Sequence, residues 1–130
     1  MSYNWKDYYE LGKRLGEDAS ENGEALSDAM YRSSISRAYY SAYNLALVYA
    51  ESLGYVYPGN TGRHEALTNF FSDRTDADSA SIAMLLATCK DFRRVADYNS
   101  EIPDDYHELS KIKDQTITRV ETIFPLIGVQ

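Results

Sequence analysis

The segment at residues 92–99, Phe-Arg-Arg-Val-Ala-Asp-Tyr-Asn, carries the residues of this sequence that are best suited to chemistry. Helical spacing from the apolar residues Ile82 and Leu86 places Arg93 on the same face of a helix, toward the core. Burying a guanidinium is costly unless it is paired or lines a cleft or an interface. Asp97 follows one helical turn later and can pair with that guanidinium. The pattern therefore leaves two interpretations open, a structural ion pair and a functional site.

A second unusual segment, Arg-Ala-Tyr-Tyr-Ser-Ala-Tyr-Asn, spans residues 37–44 in the middle of a long helical pattern. Its small residues allow another helix to approach closely, and tyrosines flank that contact. This pattern favours core and interface packing over a ligand site. A tyrosine-rich face can also stack nucleic-acid bases, so Arg37 and Tyr40 remain candidate ligand-binding residues.

The other reactive residue types form no recognisable site. His64 and His107 are the only histidines, and each is predicted to be a surface or capping residue near the start of a helix. Two histidines and one distant cysteine predict no metal site, and no motif calls for a cofactor. Cys89 falls on an apolar helix face and is expected to pack there as a small hydrophobic residue. No serine has a local histidine partner, so a serine nucleophile is unsupported.

The composition is that of one globular domain spanning residues 1–130, with 44% hydrophobic and 25% charged residues. The 20 acidic residues outnumber the 13 basic ones and give a formal net charge of -7. This balance excludes a broad basic surface for coating nucleic acid but leaves room for a local positive pocket. No apolar run is long enough to span a membrane, and the first residues lack a signal-peptide pattern. We therefore expect a cytoplasmic protein without membrane contact.

Apolar periodicity predicts an all-α fold, an antiparallel up-and-down bundle of four long helices and one short helix. Residues Trp5, Tyr8, Leu11 and Leu15 form the expected apolar stripe of the first helix, and Pro125 is expected to end the last one. The helices near 24–53 and 76–98 are expected to pack antiparallel at the centre. The predicted helices cover residues 4–17, 24–53, 63–72, 76–98, with Asp76 or Asp78 as N-cap, and 105–125.

Two motifs together resemble the HEPN (higher eukaryotes and prokaryotes nucleotide-binding) superfamily. They are Arg-Ala-Tyr-Tyr-x-Ala-Tyr at residues 37–43 and Arg-x-x-Ala-Asp-Tyr at residues 93–98, and the similarity extends over about residues 30–125. The resemblance is closest to small stand-alone bacterial and archaeal members. It implies an antiparallel helical bundle that forms a homodimer. It also implies a nucleotidyltransferase partner in a toxin–antitoxin or defence system, or a metal-independent ribonuclease activity.

The sequence departs from the nuclease members of that superfamily at one chemically important position. Those members follow the arginine with a histidine, and Asn99 stands where that histidine is expected after Arg93. Cleavage of RNA through its 2′-hydroxyl needs a group that accepts a proton near neutral pH, which imidazole does and a carboxamide does not. Asp97 or Tyr98 could replace it only in principle, since the aspartate is expected to pair with Arg93 and tyrosine titrates near pH 10.

The sequence therefore favours a dimeric HEPN-like interaction module that binds a nucleotide or RNA without efficient catalysis. Two alternatives stay open, a metal-independent endoribonuclease and a purely structural helical adaptor. The catalytic candidates are Arg93, Asn99 and Asp97. The candidate ligand-binding residues are Arg93, Arg94, Asp97, Tyr98, Asn99, Arg37 and Tyr40.

Overall fold

The computed structural model describes residues 3–98 and 105–130, without the side chains of 105–107. Helices take up 82% of these residues, and the described ranges contain no strand. The predicted all-α helical bundle is therefore confirmed. In chain order the elements are α1 (Trp5–Asp18), a 3₁₀ turn (Ala19–Glu21), α2 (Glu24–Ser52), α3 (Arg63–Ser72), α4 (Ala77–Tyr98) and α5 (Asp105–Leu126).

Helix α2 is the central element, with 29 residues and a length of about 44 Å. It packs against α1, α3, α4 and α5. Alanine and serine occupy most of its buried positions, so its neighbours can approach the backbone closely on several sides. Around it, large fully buried side chains fill the core, among them Tyr9, Tyr39, Phe71, Leu67, Ile82 and Ile123.

Helices α2 and α4 run antiparallel, as predicted. The Arg32 guanidinium, near the start of α2, donates a hydrogen bond to the Ala96 carbonyl near the end of α4, at 2.9 Å. Farther along α2, Tyr39 contacts Arg93, which comes earlier in α4. The start of α4 is capped by Asp76, whose carboxylate accepts a hydrogen bond from the Ser79 backbone N–H at 2.9 Å. This hydrogen bond is the main reason that the pKa of Asp76 is lowered.

The predicted apolar stripe of α1 is only partly right, since Trp5, Tyr8 and Leu15 are half-buried and Leu11 is not. The buried residues of this helix are Tyr9, Gly12 and Gly16, whereas Leu11 is 49% exposed. A Cβ atom on Gly12 would lie 2.8 Å from the Arg37 Cβ, so the glycines allow α1 and α2 to approach more closely than larger residues would. Close backbone packing decides which face is buried, and a count of apolar side chains misses it.

Pro125 does not end the last helix, which continues to Leu126. Proline lacks the N–H that the carbonyl one turn earlier would accept, but one missing bond in the final turn leaves the rest of the helix intact. The chain then turns at Gly128, with φ +78, a conformation that glycine adopts without strain. Within residues 3–98 and 105–130, no helix combines the length and apolar character needed to cross a membrane.

Candidate functional site

Arg93 is the centre of the candidate site and is only 6% exposed. It continues the buried face of α4 that Ile82, Leu86 and Cys89 begin, as its spacing predicted. Its guanidinium lies over three tyrosine rings, with distances from Cζ to the ring centroids of 5.6 Å for Tyr39, 5.4 Å for Tyr40 and 5.5 Å for Tyr98. The negative faces of these rings stabilise the cation without consuming its N–H groups.

Among the described residues, the polar contacts of the Arg93 guanidinium are few and long. Its Nη1 lies 3.7 Å from the Asp97 carboxylate and donates to the Tyr98 hydroxyl at 3.3 Å. Its buried Nε has no hydrogen-bond partner among the described residues. A guanidinium has five N–H donors, so this one retains capacity to bind an acceptor.

Asp97 differs from Arg93 in its exposure to solvent. The Asp97 side chain is 27% exposed, against 7% for the Arg93 side chain. Its carboxylate also accepts a hydrogen bond from the Ser36 hydroxyl on α2, at 3.3 Å. The predicted Arg93–Asp97 ion pair is therefore present, but solvent reaches the anion far better than the cation.

His64 belongs to the same cluster, and the prediction that it is a surface or capping residue is wrong. It stands in the first turn of α3, half-buried, with ring centroids 4.2 Å from Tyr43 and 5.5 Å from Tyr39. The Tyr39 hydroxyl lies 2.5 Å from the His64 Nδ1. Burial, followed by the positive charges of Arg93 and Lys90, lowers the pKa of His64, so the imidazole is neutral at pH 7.

The remaining predicted residues lie in different places. Arg94 is exposed and, with Tyr98, lines an open groove of about 580 Å³. Tyr40 is in the cluster over the Arg93 guanidinium. Arg37 instead donates a hydrogen bond to the Ser33 hydroxyl at 2.9 Å and stacks on Tyr8 of α1.

Two of the sequence predictions concern residues that the structure leaves undescribed. Asn99 lies outside the described residues. The side chain of His107 does too. Nothing in the structure therefore bears on either prediction.

The chemistry available here is the binding of an anion or a polar ring. In the described part of the chain, no group of three histidine, cysteine or acidic side chains could hold a metal ion. Burial raises the pKa of the Cys89 thiol to about 12, so this core residue is a poor nucleophile. A cation with unused donors, ringed by tyrosines, is instead suited to a phosphate with an attached base.

The sequence held no local signal for His64. Its burial comes from α2, whose residues Tyr39 and Tyr43 lie far away along the chain and one turn apart. That spacing places two rings on one helix face, which indicates an aromatic surface but not what packs on it. Comparison with known proteins adds no further guide, because no family model, curated protein or solved structure matches this chain.

Proposed function

We propose that this chain is a homodimeric, HEPN-like module that binds a phosphate group of a nucleotide or of RNA at Arg93. The observation that carries the proposal is the buried Arg93 guanidinium, whose Nε has no hydrogen-bond partner among the described residues. Natural proteins rarely leave such a donor unsatisfied without a functional reason. A phosphate supplies the missing acceptors, since a guanidinium can make two parallel hydrogen bonds to its oxygens.

Tyr98 gives the ligand a route to the guanidinium. It is the last residue of α4, is 75% exposed, and covers Arg93 with its ring. A second open cleft, of about 350 Å³, adjoins Tyr98 on the side of Asp97 and Arg32. Rotation of this one exposed ring exposes the donors of Arg93, and the ring itself can then stack on a base.

Efficient cleavage is not part of the proposal. Asn99 has no titratable group to take the 2′-hydroxyl proton, and Asp97 already contacts Arg93. The position of the Asp97 carboxylate beside Arg93 suits it to orienting the guanidinium rather than to acting as a general base. The resemblance to HEPN proteins supports a nucleotidyltransferase partner and a role in a toxin–antitoxin or defence system, and the composition supports a cytoplasmic location.

The endoribonuclease remains the second candidate function because His64 lies in the same cluster. Its imidazole and the Arg93 guanidinium contact the same two rings, those of Tyr39 and Tyr40. Cleavage of single-stranded RNA in the presence of a chelator, lost in His64→Gln, would establish this alternative. We expect binding without cleavage under those conditions.

Binding is tested by titrating the protein with adenosine monophosphate and with a labelled single-stranded RNA. Arg93→Ala is expected to weaken binding at least about tenfold, the worth of one charge-assisted pair of hydrogen bonds. Arg14→Ala is the matched control, since it removes the same charge from an exposed position of α1 and should bind like the wild type. If the wild type binds neither probe and Arg93→Ala only melts earlier, the structural adaptor is the correct function.

The homodimer is tested by light scattering at micromolar protein concentration. We expect twice the chain mass of 14.8 kDa. The exposed Tyr98 ring beside the site is the kind of amphipathic side chain that interfaces favour. A monomer mass over the whole concentration range would contradict the dimer without touching the phosphate site.

A further inference from the structure

His64 and Arg93 meet around the same tyrosines although they come from different helices. The His64 ring is stacked near Tyr39 and lies edge-on to Tyr40, with centroid distances of 5.5 Å and 5.9 Å. The Arg93 Cζ lies 5.6 Å and 5.4 Å from the centroids of those two rings. An anion held by Arg93 thus has a second nitrogen-bearing side chain within the same cluster.

The direction of the Tyr39–His64 hydrogen bond depends on which nitrogen of the imidazole carries the proton. Tyr39 is fully buried, and burial raises the pKa of its hydroxyl, although the charge of Arg93 opposes this. The hydroxyl therefore keeps its proton at pH 7 and can donate it to the His64 Nδ1, which lies 2.5 Å away. With the hydroxyl as donor, the neutral ring carries its own hydrogen on Nε2 and can donate it to a ligand.

This tautomer makes His64 a donor and a poor general base. A ring that carries hydrogen on Nε2 and accepts from Tyr39 at Nδ1 has no free lone pair to take a substrate proton. It can donate to an oxygen as a neutral ring, or more strongly as an imidazolium.

We propose that His64 is a second anion-binding group beside Arg93, donating from Nε2 to a phosphate oxygen, and that its protonation strengthens the binding of a phosphodiester in more acid solution. This inference rests on the proposed function, since it assigns a second contact to the same ligand. It names a phosphodiester because the charge of that group is constant between pH 5.5 and pH 8.

The groups around His64 determine the direction of the pH dependence. From α2 the rings of Tyr39, Tyr40 and Tyr43 face it, and from α4 the cations Arg93 and Lys90 act on it. In the free protein these cations and burial favour the neutral ring. A bound phosphate adds negative charge, so ligand binding and protonation of His64 favour each other, and affinity rises as the pH falls.

The test measures the affinity for a labelled single-stranded oligouridylate from pH 8 to pH 5.5, in wild type, His64→Gln and His107→Gln. Wild type and His107→Gln should gain about fivefold more affinity on acidification than His64→Gln, the difference between a charged and a neutral donor. His107→Gln is the matched control because His107 is the only other histidine. Any gain shared by all three proteins comes from groups other than these two histidines.

Two outcomes overturn the inference in distinguishable ways. If wild type binds, Arg93→Ala does not, and His64→Gln keeps the full pH dependence, the phosphate site stands and His64 has no part in it. If wild type binds no RNA at any pH, the proposed function and this inference both fail. Retained binding with a pH dependence lost only in His64→Gln supports both.

Discussion

Arg93 and Asp97 form an ion pair whose two members differ in solvation. The Arg93 side chain is almost completely buried, whereas a quarter of the Asp97 side chain is exposed, at 27%. A carboxylate left without its partner here keeps much of its hydration, while a guanidinium left behind does not. The ion pair therefore stabilises the buried arginine more than it stabilises the aspartate.

This asymmetry predicts stability effects of different size for the two single substitutions. Arg93→Met keeps the packing against the tyrosine rings and should change the free energy of unfolding by less than about 1 kcal/mol. Asp97→Ala leaves a buried cation without a carboxylate and should cost about 2 kcal/mol, or about 8 °C in Tm. Thermal denaturation by circular dichroism measures both. A larger loss of stability for Arg93→Met than for Asp97→Ala would show that the ion pair has a mainly structural role.

At this scale the sequence predicts part of the site. The burial of Arg93 and its pairing with Asp97 both follow from helical spacing, which is local information. The position of His64 does not, because Tyr39 and Tyr43 on another helix create its environment. For α4, local periodicity tells which face of the helix is buried, and only tertiary packing tells what that face contacts.

At the scale of helices, the contact between α1 and α2 depends on small residues. A Cβ on Gly12 would approach the Arg37 Cβ to 2.8 Å and the Ser34 carbonyl oxygen to 3.5 Å. Neither atom is the flexible end of a side chain, so the helices would have to separate.

Gly12→Ala is therefore expected to destabilise the protein by about 1–2 kcal/mol, although the same change in an open helix stabilises by about 1 kcal/mol. Leu11→Ala is the control, because Leu11 is next to Gly12 and is exposed. This substitution should cost at most about 0.5 kcal/mol. Urea denaturation of both variants tests the pair of values. Equal losses of stability would indicate that Leu11 packs in the core, as the predicted apolar stripe requires.

Helices α1 and α5 are connected by hydrogen bonds to Glu121 of α5. Its carboxylate accepts from the Lys13 ammonium at 2.8 Å and from the Tyr9 hydroxyl at 2.5 Å. Both hydrogen bonds lower the pKa of Glu121, and the bond from Lys13 has the larger effect. The folded state thus favours the ionised form, and the carboxylate adds stability above its unfolded pKa of about 4.3.

That contribution should be lost as the pH falls through the lowered pKa of Glu121 in the folded state. Glu121→Gln should therefore lower Tm at pH 7 and should lose less stability than wild type on acidification from pH 5 to pH 3. Glu51→Gln removes the same charge from an exposed position and serves as the control. Parallel acid profiles for wild type and Glu121→Gln would contradict the assignment.

Helix bounds were largely predictable, and the exceptions have physical causes. Turn residues and an acidic cap define the start of α4, where Asp76 caps as expected. Pro125 was expected to end α5 but lies inside its final turn, because that turn tolerates the loss of one hydrogen bond. The most buried positions of α1 were missed because glycine contributes to packing through its lack of a side chain.

At the scale of the whole molecule, the net charge of -7 opposes indiscriminate binding of nucleic acid. Any affinity for phosphate must therefore come from a small, local site. The cluster around Arg93 fits this requirement, since its histidine is neutral at pH 7 and the guanidinium is nearly buried. Such a site should depend on geometry more than on overall electrostatics.

The central claim is that Arg93 anchors a phosphate, and calorimetric titration of Arg93→Met with single-stranded RNA tests it most directly. This variant is expected to melt like the wild type, so a loss of binding is not a loss of folding. We predict measurable binding by the wild type at pH 7 and at least about tenfold weaker binding by Arg93→Met. Equal affinity of the two folded proteins would contradict the account.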